Sequence, residues 1–498
     1  MFSVELEYIN VEDVVLDTEI VKKIPEEIAR DNCLIALKKV NEKFIIVIGK
    51  NLNFSLIEQL KFMLGSELVF FKSNQEKIYQ LINTYYCRQN LDLALKDIKF
   101  HEDISELTIN FTSYDNKFQN SPVVKAINYI IDKAIDEGAS DLHIEPFQDS
   151  VTIRMRIDGI IGEYIKIPLN IYPLLCVRIK IMADMDIAEK RMPQDGKIKY
   201  VKQKLNYDLR VSTLPTIYGE KIVIRILYKD EGIKHLSNLG FLKEDENKIR
   251  KMVSKSHGLI LAVGPTGSGK STTLYSILNT IDKCKNNIVS IEDPVEYTID
   301  NINQVNVNSK IGLDFAKGLR SILRQDPDVI MLGEIRDEET ARIAIRAAVT
   351  GHLVISTLHT NDAFESIVRL KDMGIAEYFI EDALLGVISQ RLVRKICPYC
   401  RSEYKPSFRE IKELDLLSAD VLYRGEGCTK CNYTGYKGRT VVYEIVHRDY
   451  IEKGCLKNNI SNIREKARES NMVSLRQNCI GLIKSGITTY EEFLRINF

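Results

Sequence analysis

A six-residue apolar run, "GLILAV" at 258–263, passes directly into "GPTGSGKSTT" at 264–273. An unbroken apolar run of that length suits a strand covered on both faces, and the glycines after it free backbone N–H groups to turn inward on an anion. Gly264, Gly269, Lys270 and Ser271 fit the spacing G-x-x-x-x-G-K-[ST], and "STTLYSILNTI" behind them has the apolar spacing of a helix. A flexible glycine turn would not need a strand before it and a lysine, a serine and a helix after it. The stretch therefore predicts an α/β nucleotide-binding domain. Gly264, Pro265, Thr266, Gly267, Ser268, Gly269, Lys270, Ser271 and Thr272 are the expected phosphate contacts. Lys270 is expected to neutralise the β- and γ-phosphates and Ser271 to ligate Mg²⁺, with the helix N-terminus adding its positive end.

Hydrolysis needs a carboxylate to orient water, and three further segments supply candidates. "NIVSIEDPVEY" reads as a strand ending in Glu292, Asp293 and Glu296, at the carboxyl edge where open α/β sheets place ligands. A surface acidic turn is the alternative reading. "DVIMLGEIRDEE" delivers Glu334 after five uncharged residues, with Gly333 standing where a metal-binding Asp would be expected, so Mg²⁺ is assigned to Ser271, water and the acidic turn. "LVISTLHTNDA" carries His359 and begins beside His352. A histidine next to a strand is commonly a satisfied core group; two of them beside this strand suggest γ-phosphate sensing by neutral imidazole.

The rest of the chain divides around this domain. At 498 residues it exceeds one ordinary core and predicts three or more folding units. Residues 1–105 mix "FIIVIG", "ELVFF" and the helix-like "NFSLIEQLKFML", an accessory α/β domain; 106–120 is a polar linker. Residues 121–228 open with a helix at Pro122 and continue as alternating strands, "VTIRMRID", "KIKYVKQKLNYDLRVSTLP" and "EKIVIRIL", a small α+β domain; 229–239 is a second linker, and 240–498 the nucleotide domain.

Lys plus Arg and Asp plus Glu are both 69, which removes the electrostatic argument for a dedicated nucleic-acid binder. No segment approaches the roughly 18 uninterrupted apolar residues of a membrane helix. The acidic N-terminus does not read as a secretory signal, so a cytoplasmic location is expected.

Four of ten cysteines fall in the pattern C-x2-C-x27-C-x2-C at Cys397, Cys400, Cys428 and Cys431. Two such knuckles complete a tetrahedral S₄ site, closed and hence structural, which predicts zinc; free thiols are the alternative. The polar segment between the pairs is expected to take its stability from the metal.

"GPTGSGKSTT", "IEDPVE", "RQDPDVIMLGEIRDEETARIAIRAAVTGHLVISTLHTNDA" and "CPYC…GCTKCNYTGYKGRTVVYEI" together resemble the ATPases of type II secretion and type IV pilus assembly, from about Ser121 onward. Walker A, the aspartate box, Walker B and the histidine box of that family map onto 264–272, 291–296, 328–334 and 352–362, and Gly333 matches its own form of Walker B. The resemblance implies a RecA-like ATPase domain behind a small PAS-like domain, arranged as a homohexamer with ATP between subunits and domains. It implies partners too: a polytopic platform protein of the inner membrane and a membrane-associated docking subunit, with no direct nucleic acid, and peripheral placement at the inner membrane face. "SDLHIEP", "MRIDG" and "DLRVSTLPTIYGEKIVIRIL" look like the small domain's signatures, making Arg210 and Arg225 candidates to reach the nucleotide, with structural ion pairs as the alternative. The catalytic candidates are then Glu334, Glu296, Glu292, Lys270, Arg210, Arg225 and His359. The arginine-and-leucine motif by which some relatives bind cyclic di-GMP is not evident in residues 1–105. A RecA-like motor acting on nucleic acid is the alternative function, and a nucleotide-gated scaffold without turnover a third.

Overall fold

The computed structural model describes residues 7–9, 17–82 except 22, 41, 51, 76 and 80, then 122–228, 235–450 except 418–419, and 460–496 except 471. The linker expected at 106–120 and the first part of that at 229–239 lie outside these. The chain divides into two compact units, Met1–Asp230 with Gly427–Thr434, and Glu231–Glu426 with Gly435–Phe498.

In the first unit the strands β1 (Leu34–Val40), β2 (Lys43–Ile48) and β3 (Glu67–Lys72) form a small sheet in that order. β1 and β2 run antiparallel; β2 and β3 run parallel, the crossover being the helix Phe54–Leu64. Asn53 accepts from Leu56 N–H to start that helix, and Gly65 in the left-handed region ends it.

The helix Pro122–Asp136 begins at the expected proline and packs with the helix Tyr172–Met182 on one face of a six-stranded antiparallel sheet. Its order is β6 (Ile160–Pro168), β5 (Ser150–Ile157), β4 (Ala139–Pro146), β9 (Gly219–Tyr228), β8 (Leu205–Thr216), β7 (Gln194–Lys202). Alternation sorts the faces: Leu142, Ile144, Ile153, Leu209, Val211, Ile222 and Ile224 enter the core. Arg154, Arg210 and Arg225 are among the intervening positions, on the other face.

The second unit is built on a seven-stranded sheet, β12 (Asn303–Asn306), β11 (Ile288–Glu292), β13 (Val329–Leu332), β14 (Leu353–Leu358), β10 (Gly258–Val263), β15 (Leu384–Ile396), β18 (Tyr436–His447). Every pairing is parallel until β18, which is antiparallel to β15. β10, β11, β13 and β14 are buried at every position, because each feeds a core on both faces. Leu259, Leu261 and Val263 of β10 enter one core, Ile260 and Ala262 the other. Parallel register has one consequence that sets up the chemistry: the carboxyl ends of β10, β11, β13 and β14 emerge along the same edge.

Between the cysteine pairs lie a hairpin of β16 (Arg401–Tyr404) and β17 (Leu422–Gly425) and the helix Phe408–Glu413. Leu414, Leu416 and Leu422 of this region join Val393, Val442, Cys479, Ile483 and Phe493 in a core shared with the C-terminal helices. The expectation that this segment takes its stability from the metal is corrected by that core, whose partners lie more than fifty residues downstream or on strands of the main sheet.

Candidate functional site

β10 ends at Val263 and the chain turns through 264–269 into the helix Lys270–Leu278. Gly264, Gly267 and Gly269 have φ of 143°, 78° and 89°, a region that side chains rarely adopt. Gly264 has a second reason to lack a side chain: a Cβ there would stand 2.5 Å from the Gln390 carbonyl oxygen. Pro265, Thr266, Gly267, Ser271 and Thr272 are exposed, whereas Ser268 is buried. The loop therefore presents its outer rim and the start of its helix, and anchors its middle.

The Lys270 ammonium folds back over the loop, donating to the carbonyl oxygens of Gly264 at 2.7 Å and Pro265 at 3.0 Å. These acceptors hold the cation where phosphate oxygens would take over. Burial pushes Lys270 down to about 8, with Glu334 opposing the shift and Arg391 adding to it.

At the end of β13, Glu334 is largely shielded and has two partners. Its carboxylate receives Arg336 Nε at 2.6 Å and lies 3.1 Å from His359 Nε2, so the ends of β13 and β14 meet across this acid. Arg336 also lies 3.4 Å from Asp293 beyond β11 and over the Phe315 ring. A carboxylate with a cation on one side and an imidazole on the other is placed to hold a water between itself and a terminal phosphate.

The other candidates are less alike than the sequence suggested. Glu292 is buried, accepting from Ser290 Oγ at 2.6 Å, Gln304 Nε2 at 3.2 Å and the Tyr275 hydroxyl. Its carboxylate thereby joins the helix behind the loop to the strands β11 and β12. Glu296 is exposed, and its N–H donates to the Tyr275 hydroxyl at 3.2 Å. The two histidines of β14 are split between the two edges of the sheet. His359 follows the carboxyl end; His352 precedes the amino end, roughly 23 Å away at about 3.3 Å per residue. The His352 ring rests against the Ala347 carbonyl oxygen at 3.0 Å, and its own carbonyl accepts from Gly258 N–H at 3.1 Å. The expectation that both histidines sense phosphate is thus corrected for His352, which a strand separates from the edge that carries Glu334 and His359.

Arg210 and Arg225 lie directly opposite each other on β8 and β9 of the small sheet. Arg225 Nε donates to Asp141 Oδ1 at 2.9 Å while its side chain is 63% exposed. Both arginines sit in the first unit and the phosphate loop in the second.

Gln390 and Arg391, side by side on β15, were not singled out by sequence. Gln390 contacts the loop from behind, and Arg391 donates to the Asn361 carbonyl oxygen at 2.6 Å, tying β15 to the turn after His359. The parallel pairing of β15 with β10 brings them there.

The sulfur atoms of Cys397, Cys400, Cys428 and Cys431 all lie within 4.8 Å of one another, with Cys428 and Cys431 at 3.7 Å. Thiolates placed tetrahedrally at about 2.3 Å from zinc are about 3.8 Å apart, so the set fits such an ion. Cys428 N–H donates to Cys431 Sγ at 3.2 Å and Cys397 N–H to the Gly435 carbonyl at 2.9 Å, contacts that orient the sulfurs. Among the described residues, no helix is long and apolar enough to cross a membrane.

Known proteins are similar to this chain in sequence and fold. The family described as type II/IV secretion system protein matches residues 116–495, and the MshEN domain matches residues 4–90. The type II secretion system ATPase E of Vibrio cholerae is 41% identical over 429 residues, covering 86% of this chain and 85% of the relative. The type IV pilus assembly ATPase PilB of Myxococcus xanthus is 36% identical over 502 residues, covering 97% and 88%. A crystal structure of the pilus retraction motor PilT with bound ADP superposes with a TM-score of 0.50 at 28% identity, covering 74% of this chain and 96% of that one.

Proposed function

The chain belongs to the type II/IV secretion system protein family and is an ATPase, and on that premise we propose that it is a ring-forming motor that spends ATP to assemble a type IV pilus or a secretion pseudopilus. The observation that supports this most is the convergence of Lys270, Glu334 and His359 on one sheet edge.

In this reading the Lys270 ammonium exchanges the carbonyls of Gly264 and Pro265 for β- and γ-phosphate oxygens of ATP. Loop N–H groups take the remaining phosphate charge. Ser271 holds Mg²⁺, which when bound neutralises charge on the triphosphate. Glu334 orients the attacking water, and His359 reports the terminal phosphate through the carboxylate they share. Glu292, in its buried position, sets the acidic turn, while Glu296 faces outward beside it. Arg210 and Arg225 complete the charge balance from the small domain, and loss of the terminal phosphate releases them, so that domain motion carries the force. The domain limits of the sequence reading, 1–105, 121–228 and 240–498, are kept as the moving parts. Six copies form the ring; a platform protein in the inner membrane and a docking subunit at residues 1–105 hold it at the inner membrane face. Zinc in the four-cysteine cluster has a structural role.

Phosphate release and native mass spectrometry test this together. Steady release of phosphate from ATP with Mg²⁺, and six-fold assemblies with a non-hydrolysable analogue, are expected. Turnover by a species that remains monomeric at every nucleotide and protein concentration would contradict the ring.

A further inference from the structure

The geometry assigns Gln390 as the positioning residue that keeps the phosphate loop in its binding shape from behind. This inference rests on the nucleotide site described above. Gln390 is 1% exposed, on the stretch of β15 just past the position where Ser389 pairs with Val263, the last residue of β10. β15 thus continues alongside the loop after β10 has ended, and the Gln390 side chain is wedged between the loop and the helix behind it.

Its amide bridges the two. Nε2 donates to the Ser268 carbonyl oxygen at 2.9 Å, and Oε1 accepts from Thr273 Oγ1 at 2.9 Å. The assignment of the two ends is fixed by chemistry, since a backbone carbonyl only accepts and must face the NH₂. A loop that turns its N–H groups inward on phosphate turns carbonyls outward, and in this buried place the Ser268 carbonyl needs a donor. Gln390 supplies it. Gly269 is crowded by the same amide: a Cβ there would stand 3.2 Å from Nε2. One side chain therefore fixes the loop at Ser268 and the helix at Thr273, on either side of Lys270.

Glutamate in that place keeps the shape and replaces the donor by a second acceptor. A carboxylate then faces the Ser268 carbonyl and adds negative charge behind a loop that receives polyphosphate. Gln390→Glu is expected to weaken ATP and ADP by similar factors of at least about tenfold, since both place a β-phosphate in the loop. Under saturating ATP it should retain most of its kcat. A residue that served only general stability would lower the melting temperature and leave this split between binding and turnover absent.

The test is titration of a fluorescent ATP and a fluorescent ADP analogue into the full chain, with steady-state kinetics on the same preparation. Nucleotide binding by Gln390→Glu indistinguishable from wild type would overturn the proposal. Failure of the wild type itself to bind would instead overturn the nucleotide reading. Where Gln390→Glu does not fold, Thr273→Val removes the anchor on the helix side without adding charge. It should weaken both nucleotides severalfold, and unchanged affinity would sink the assignment.

Discussion

The phosphate edge and the four-cysteine cluster hold their functional groups in opposite ways. At the edge, Gly264, Glu334 and His359 come from three strands of one buried sheet and are placed by backbone register, with the apolar cores on either face already formed. In the cluster, four thiols within 4.8 Å of each other come from two short knuckles, a set that could hold a metal ion. The first arrangement is preorganised by the fold, so the proposed function should be lost by single side chains; the second, on the proposed zinc reading, is completed by an ion and should fail by losing it. The shared core around Leu414 and Leu422 narrows that contrast, because part of the cysteine region is held by apolar packing.

The contrast breaks if the edge tolerates loss of a single side chain. Lys270→Ala should lower turnover by at least about 10²-fold with unchanged secondary structure, because the ammonium is the buried cation of the loop. Circular dichroism and phosphate release on the same sample check both halves.

It sharpens if the cluster fails by metal and the edge does not. Cys397→Ser, or strong chelation, should empty the site of its expected single zinc and lower the melting temperature of the C-terminal region. Nucleotide affinity should be retained. Metal analysis and nucleotide titration separate the two; unchanged zinc in Cys397→Ser would undo the cluster reading.

A smaller effect distinguishes a buried cation from an exposed one. Burial pushes Lys270 down from the ordinary lysine value of 10.5 to about 8, and triphosphate favours its ammonium form. Above about 8, and up to the higher value the lysine takes when phosphate-bound, binding must take up protons, so ATP affinity should fall as pH rises, by no more than about tenfold per unit. Below about pH 7 the lysine is charged with or without ligand, and that dependence should vanish. Titration calorimetry in buffers of different ionisation enthalpy counts the protons.

How legible each part was follows from how local its signal is. The loop at 264–272 and the two cysteine pairs are spelled out by contiguous spacing, and the buried strands by apolar runs such as "GLILAV", "VIML" and the start of "LVISTL". The splitting of His352 from His359 follows from the strand between them. Gln390 was out of reach. Nothing in "LLGVISQRLVRKI" marks a polar residue as a prop for a loop more than a hundred residues earlier; only the parallel register of β15 on β10 brings it there. The inward turn of Glu292 was hidden for the same reason, since Tyr275 and Gln304 come from other elements. The core shared by Leu414 and the C-terminal helices likewise depends on contacts that no spacing announces.

The account stands most directly on Glu334, the carboxylate between Arg336 and His359. In a single-turnover experiment with excess Glu334→Gln protein over ATP, the nucleotide should bind with near wild-type affinity and remain ATP, hydrolysis slowing by about 10²-fold or more. Phosphate appearing at the wild-type rate would contradict the assignment of this edge as the place where water is directed at the triphosphate.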